Sequence, residues 1–178
     1  MKEKAHLVRD LQALRERTLE AFKAYLQDKK DKASFLFSFE NWLEEVAYMS
    51  IVGDKRHDEA FKEILTFLKN VAEKDKELFF DLVSNKLFIE ELISLFSKDY
   101  RVLEVKRKPS GVKAEIFISL DNILSGVFFE GFIEFSISYG RIIAWVELSL
   151  LGSKNAGKLG YVFSWNELRW LKPFVISN

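Results

Sequence analysis

The apolar positions of this chain follow two rhythms, and the change between them falls near Tyr100. Before it they recur every three or four residues, the repeat of a helix stripe; after it they alternate, as in a strand with one buried face. From about Glu3 to Asp28, Leu7, Leu11, Leu14, Ala21 and Tyr25 keep the helical step, with Thr18 in register. Leu19, Phe22 and Leu26 widen that stripe toward its C-terminal end, which suits contact with more than one neighbour. The charged run Asp28 to Lys32 reads as an exposed connector. A second helix is expected over Phe39 to Ile51, capped by Ser38 and ended by Gly53. Asp54 can cap a third, which carries Phe61, Ile64, Leu65, Leu68 and Val71 and stops at Ala72. A fourth starts near Asp75 and is apolar on nearly every side as far as Phe96, so it belongs in the interior; Ser84-Asn85 can divide it in two.

In the alternating half, a turn at Ser110-Gly111 sets Val105 opposite Ile116, Leu103 opposite Ile118 and Lys106 opposite Glu115. A third strand spans Val127 to Ser138 and a fourth Arg141 to Leu151; a turn at Tyr139-Gly140 then pairs Ile137 with Ile142, Phe135 with Ala144 and Ile133 with Val146. A fifth strand, Lys158 to Ser164, leads into a short C-terminal helix, for which Ser164 and Glu167 have capping-box spacing and Pro173 marks the end. Helices followed by strands predict an α+β fold: an N-terminal layer of about four helices packed on an antiparallel meander of about five strands, in one domain with a helical part over 1–99 and a meander over 100–178.

Composition narrows the function classes. Hydrophobic residues at 48% and charged residues at 30% describe a chain that can bury a core. Lysine plus arginine balance aspartate plus glutamate at 27 each, which removes any global electrostatic pull toward nucleic acid or an anionic membrane. The absence of cysteine excludes disulfides, thiolate metal sites and a cysteine nucleophile. Met1 to Asp10 lacks the apolar run of a signal peptide and no stretch reaches a membrane-spanning length, so a cytoplasmic protein with no membrane partner is expected. Abundant Lys and Glu with only two prolines give a thermophile-like composition.

Candidate chemistry is sparse. Gly152 to Lys158 has the GxxxxGK spacing of a phosphate-binding loop, but Leu159 stands where a magnesium-binding hydroxyl belongs and a strand follows where a helix should. Phe117 to Asp121 has the form of a strand ending in a metal-binding aspartate, in an antiparallel setting that does not suit that loop. Glu104-Val105-Lys106 has the carboxylate-x-lysine spacing of metal-dependent nuclease sites without its partner acid. Of the two histidines, His6 lies near the terminus and His57, beside Asp54 and Asp58, reads as a surface residue in the first turn of a helix. No GxSxG is present.

Three surfaces remain. On the second face of the third and fourth strands, Glu130, Glu134 and Glu147 project among Phe128, Phe132, Ile143 and Trp145, a set that could hold a divalent cation or keep one carboxyl protonated. Lys106, Arg107 and Lys108, with Lys113 across the hairpin and Arg101 nearby, form the one concentrated basic patch, a candidate for nucleic acid that lacks stacking partners on its own strands. The stripe Leu7, Leu11, Leu14, Phe22 and Tyr25, or else the aromatic sheet face, is a candidate interface with a second copy or another protein. The expected function is a non-enzymatic interaction or scaffold protein, a homo-oligomer needing no cofactor. The alternatives are a metal-dependent hydrolase or small-ligand binder using the glutamates, and a nucleic-acid binder using the first hairpin.

Overall fold

The computed structural model describes residues 2–119, 127–152 and 157–176, with side chains described from residue 11 onward. The chain forms two compact units, Met1–Ile64 and Leu65–Asn178, so the change of rhythm at Tyr100 lies inside the second.

The first unit holds α1 (Lys2–Gln27), α2 (Lys32–Ile51) and the opening turns of α3 (His57–Lys74). α2 begins at Lys32 instead of Phe39, because Asp31 and not Ser38 supplies the cap: its carboxylate accepts the Ser34 N–H at 3.2 Å. Phe35 thereby joins Phe39 on the buried stripe, and the rings of Phe22 and Tyr25 pack on it at 5.5 and 6.2 Å. Thr18 is fully buried within the α1 stripe at little cost, its hydroxyl lying 2.7 Å from the Leu14 carbonyl and 3.1 Å from that of Ser38. The buried Asp54 accepts from the Arg56 N–H at 3.0 Å and from its guanidinium at 2.7 Å, fixing the turn that leads into α3.

In the second unit the apolar run divides at Ser84-Asn85 into α4 (Lys76–Val83) and α5 (Lys86–Ile93). Asp75 caps α4 through the Leu78 N–H at 3.1 Å, and Asn85 caps α5 through the Leu87 N–H at 2.9 Å. An antiparallel sheet follows in the order β1 (Asp99–Lys108), β2 (Gly111–Ser119), β3 (Phe128–Ser138), β4 (Arg141–Leu150), β5 (Lys158–Ser164), with β6 (Arg169–Trp170) and β7 (Phe174–Ile176) both pairing with β5. The protein is thus α+β, five helices preceding seven strands among the described residues. The inner face of the sheet carries Val112, Ala114, Ile116, Ile133, Phe135, Ala144, Val146 and Phe163, all buried, with α4 against β2 and β3 and α5 against β1.

The β3–β4 register is the one expected from sequence, Ile137 with Ile142, Phe135 with Ala144 and Ile133 with Val146. Tyr139 and Gly140, at φ 51° and 74°, make a turn with two left-handed residues, whose twist matches that of the strands it joins.

In the second unit the first hairpin and the C-terminal segment differ from expectation. The first hairpin turns at Pro109-Ser110, since the ring of proline presets the turn geometry, and Val105 therefore faces Ala114 while Lys106 faces Lys113 instead of Glu115. A bulge between Val102 and Val105 then sets Val102 against Ile116 and pushes Leu103, expected inside, out to solvent. The C-terminal helix is also absent. Ser164 Oγ does accept the Glu167 N–H at 3.1 Å, but Leu168 turns left-handed at φ 55° and the chain reverses into β6. A helix would set Trp165 and Trp170 about 140° apart around its axis. Reversal brings both indoles to the inner side, where Trp165 donates to the Leu65 carbonyl at 2.7 Å and Trp170 to that of Leu92 at 2.9 Å.

Tyr161 lies in the same layer, stacked on Phe96 at 4.9 Å, and burial raises its hydroxyl above the usual tyrosine range. The folded state therefore holds this proton more tightly than the unfolded chain. Its contribution to stability is whole below about pH 10, where unfolded tyrosines begin to ionise, and is lost as pH rises through the folded value. Tyr161→Phe is expected to lose less stability than wild type as pH is raised above about 10 in urea titrations; parallel losses would contradict this reading.

Candidate functional site

Strand parity decides what the outer face of the sheet carries, and each strand adds side chains at alternate positions. From β1 and β2 come Arg101, Lys106, Lys113, Glu115 and Phe117; from β3 and β4, Phe128, Glu130, Phe132, Glu134, Ile143, Trp145 and Glu147; from β5 and β7, Lys158, Val162 and Phe174. The aromatic rings form local pairs. Phe117 meets Phe128 at 5.8 Å, and Trp145 meets Phe174 at 5.5 Å. The second pair lies over Gly160, where an added Cβ would come within 2.9 Å of both rings. Phe128, Ile143 and Phe174 remain 40%, 41% and 44% exposed, and Phe117, Phe132 and Trp145 are half-buried.

The three glutamates share this face with Trp145, as expected. Glu134 stands opposite Trp145, Glu147 opposite Phe132 and Glu130 opposite Ser149. Glu147 takes the Lys158 ammonium at 3.4 Å, an ion pair that a metal ion would have to break. Among the described residues no three His, Cys, Asp or Glu side chains converge closely enough to hold a metal.

The basic patch separates into two. Arg107 points to the inner side, where it bonds the Asp81 carboxylate at 3.1 Å and that of Glu77, with its guanidinium 5.3 Å from the Phe80 ring. Burial opposes its charge, but those two carboxylates outweigh burial and raise its pKa. Arg107 thus ties β1 to α4 and is not presented to a ligand. Lys106, Lys108 and Lys113 stay on the other side, and the Lys113 ammonium sits 4.2 Å from the centre of the Phe132 ring.

The α1 stripe is equally divided. Phe22 and Tyr25 are buried within the first unit, Leu11 and Leu14 are half-buried, and the side chain of Leu7 lies outside those described. Phe37 and Ile51 on α2, which the sequence did not single out, are well exposed. His57 is not a surface residue; its ring is buried and stacks on Phe61 at 6.2 Å. The GxxxxGK segment has residues 153–156 outside the described residues, as do His6 as a side chain and Asp121. Glu104 falls at the β1 bulge.

Both edges of the sheet are managed against pairing with another chain. β1 combines a bulge with Arg101, Lys106 and Lys108, and β5 is covered by β6 and β7. Among the described residues no helix is long and apolar enough to cross a membrane. No family model, curated protein or solved structure matches this chain.

Proposed function

We propose that this protein is a non-enzymatic interaction module that associates through the outer face of its sheet, with a second copy of the chain as its first partner. The observation that carries this reading is the set of three two-fifths-exposed apolar side chains, Phe128, Ile143 and Phe174, lying among further half-buried aromatics on one sheet face. Aromatic residues gathered on an accessible surface and rimmed by charge are the usual make-up of a contact patch. The blunted edges make face packing more favourable than strand addition. A nucleic-acid strand fits less well, because Glu130, Glu134 and Glu147 stand among the rings on which bases would stack, and carboxylates repel phosphates.

Light scattering on the full chain tests this. Wild type is expected to run at about twice the mass of one chain at high micromolar concentration, as an isologous pair requires. Phe128→Lys combined with Ile143→Lys is expected to return it to a monomer, and Phe37→Lys, on α2, to leave the pair intact. A monomeric wild type, or an unchanged mass in the double variant, counts against the reading.

A further inference from the structure

At one end of the sheet, a half-enclosed cavity of about 260 Å³ lies between the last turns of α3, the β3–β4 turn and the segment joining β5 to β6. Its volume is a little under the range of pockets that hold drug-sized molecules, which points to a small ligand. The walls are apolar, from Ala72, Ile142 and Leu171, with Trp165 behind them. The mouth is charged. Lys69 and Arg141 stand at it with Glu73, and among the described residues neither cation has an acidic partner; Lys69 instead donates to the side-chain carbonyl of Asn166 at 3.1 Å. Two cations against one carboxylate, above an apolar cup, favour a molecule with one anionic end and a short hydrocarbon body.

Backbone geometry singles out the same place. Tyr139 and Leu168 are the two non-glycine residues in the left-handed region among the described residues, at φ 51° and 55°. Tyr139 directly precedes the cavity residues Gly140 and Arg141, and Leu168 lies within the segment that contributes Asn166 and Leu171. Side chains carrying a Cβ rarely adopt this conformation, and here the β3–β4 turn and the reversal into β6 require it, which fixes the backbone on both sides of the cavity. Tyr139, fully exposed on the lip, has no packing reason to be aromatic.

We propose that this cavity binds a small amphipathic anion, a carboxylate or a phosphate monoester, its charge held by Arg141 and Lys69 and its hydrocarbon end against Ala72, Ile142 and Leu171. The site is separate from the outer sheet face and stands or falls without it.

Calorimetric titration of the full chain at low salt, with hexanoate, hexyl phosphate, acetate and hexylamine as probes, tests the proposal. Saturable binding of hexanoate or of hexyl phosphate in the millimolar range or tighter is expected, and which of the two binds better names the head group. Acetate should bind more weakly than hexanoate, since the apolar wall contributes, and hexylamine should not bind. Arg141→Gln and Lys69→Gln should each weaken binding by about tenfold, with circular dichroism unchanged, and Lys86→Gln, on exposed α5 surface, should not. In amide spectra the shifts should fall on Gly140, Arg141 and Asn166. Absence of saturable binding by both six-carbon anions, affinity indifferent to Arg141 and Lys69, equal binding of hexylamine, or shifts confined to other residues would each overturn it.

Discussion

Trp165→Ala is expected to lower the unfolding stability of the Leu65–Asn178 unit by about 4 kcal/mol, the scale at which removal of a large buried ring leaves a void its neighbours cannot close. The indole is buried where three rings meet it edge-on, Phe163 at 5.2 Å, Phe79 at 5.8 Å and Phe135 at 6.4 Å. Phe79 belongs to α4 and the other two to the sheet, so this one side chain joins the helices to the inner sheet face. Its N–H also donates to the Leu65 carbonyl inside α3, and alanine would remove that bond. Trp165→Phe separates the two effects: it keeps most of the ring volume and should cost about 1–2 kcal/mol, mainly the lost hydrogen bond. Urea unfolding followed by tyrosine and far-ultraviolet signals measures both, read as a shifted midpoint at unchanged slope. A loss under about 1 kcal/mol for the alanine variant would mean that the indole is not the joint described here.

The second large effect is expected from a residue with no side chain. Gly131 lies inside β3, the strand flanked by β2 and β4, opposite Ile116 on one side and Leu148 on the other. A Cβ at this position would lie 1.8 Å from the Glu147 carbonyl oxygen and 2.8 Å from its carbon. The obstacle is backbone in a paired strand, so relief requires the β3–β4 ladder to part. Gly131→Ala should therefore cost about 3 kcal/mol or more, at the upper end for an added methyl group, and should change the denaturant slope if the ladder opens. A variant as stable as wild type would show that the two strands can separate locally at small cost.

The neighbouring hairpins show what local reasoning reaches. Tyr139-Gly140 is followed and preceded by clean alternation, and the two left-handed turn residues fix the pairing, so the register of β3 with β4 and the shared face of Glu130, Glu134, Trp145 and Glu147 were readable in advance. In the first hairpin the opposite charges of Lys106 and Glu115 suggested a register that the turn overrode. A cross-strand charge pair contributes roughly 0.2–1 kcal/mol, too little to oppose the turn geometry set by Pro109. The bulge that expels Leu103 leaves no mark in the local pattern, because it serves the packing of Val102 and Val105 on one face. At the C-terminus the capping signal of Ser164 was real as a hydrogen bond and misleading as a helix start, since burying two indoles outweighs one turn of helix.

What the sequence determined alone is the period of the long segments and hence their type, the start of a helix near Asp75 and its division at Ser84-Asn85, and which residues of β3 and β4 share a face. These depend on neighbours two to four positions away, whose geometry every helix or strand imposes. Only the tertiary structure decided which sheet face α4 and α5 cover, that Arg107 turns inward to Asp81 while Lys106 and Lys113 stay outside, and that residues far apart in sequence, Lys69, Arg141 and Asn166, stand around one cavity. Those outcomes rest on contacts between distant segments, where burial of large apolar surfaces outweighs local preference, and no window of the sequence contains both partners.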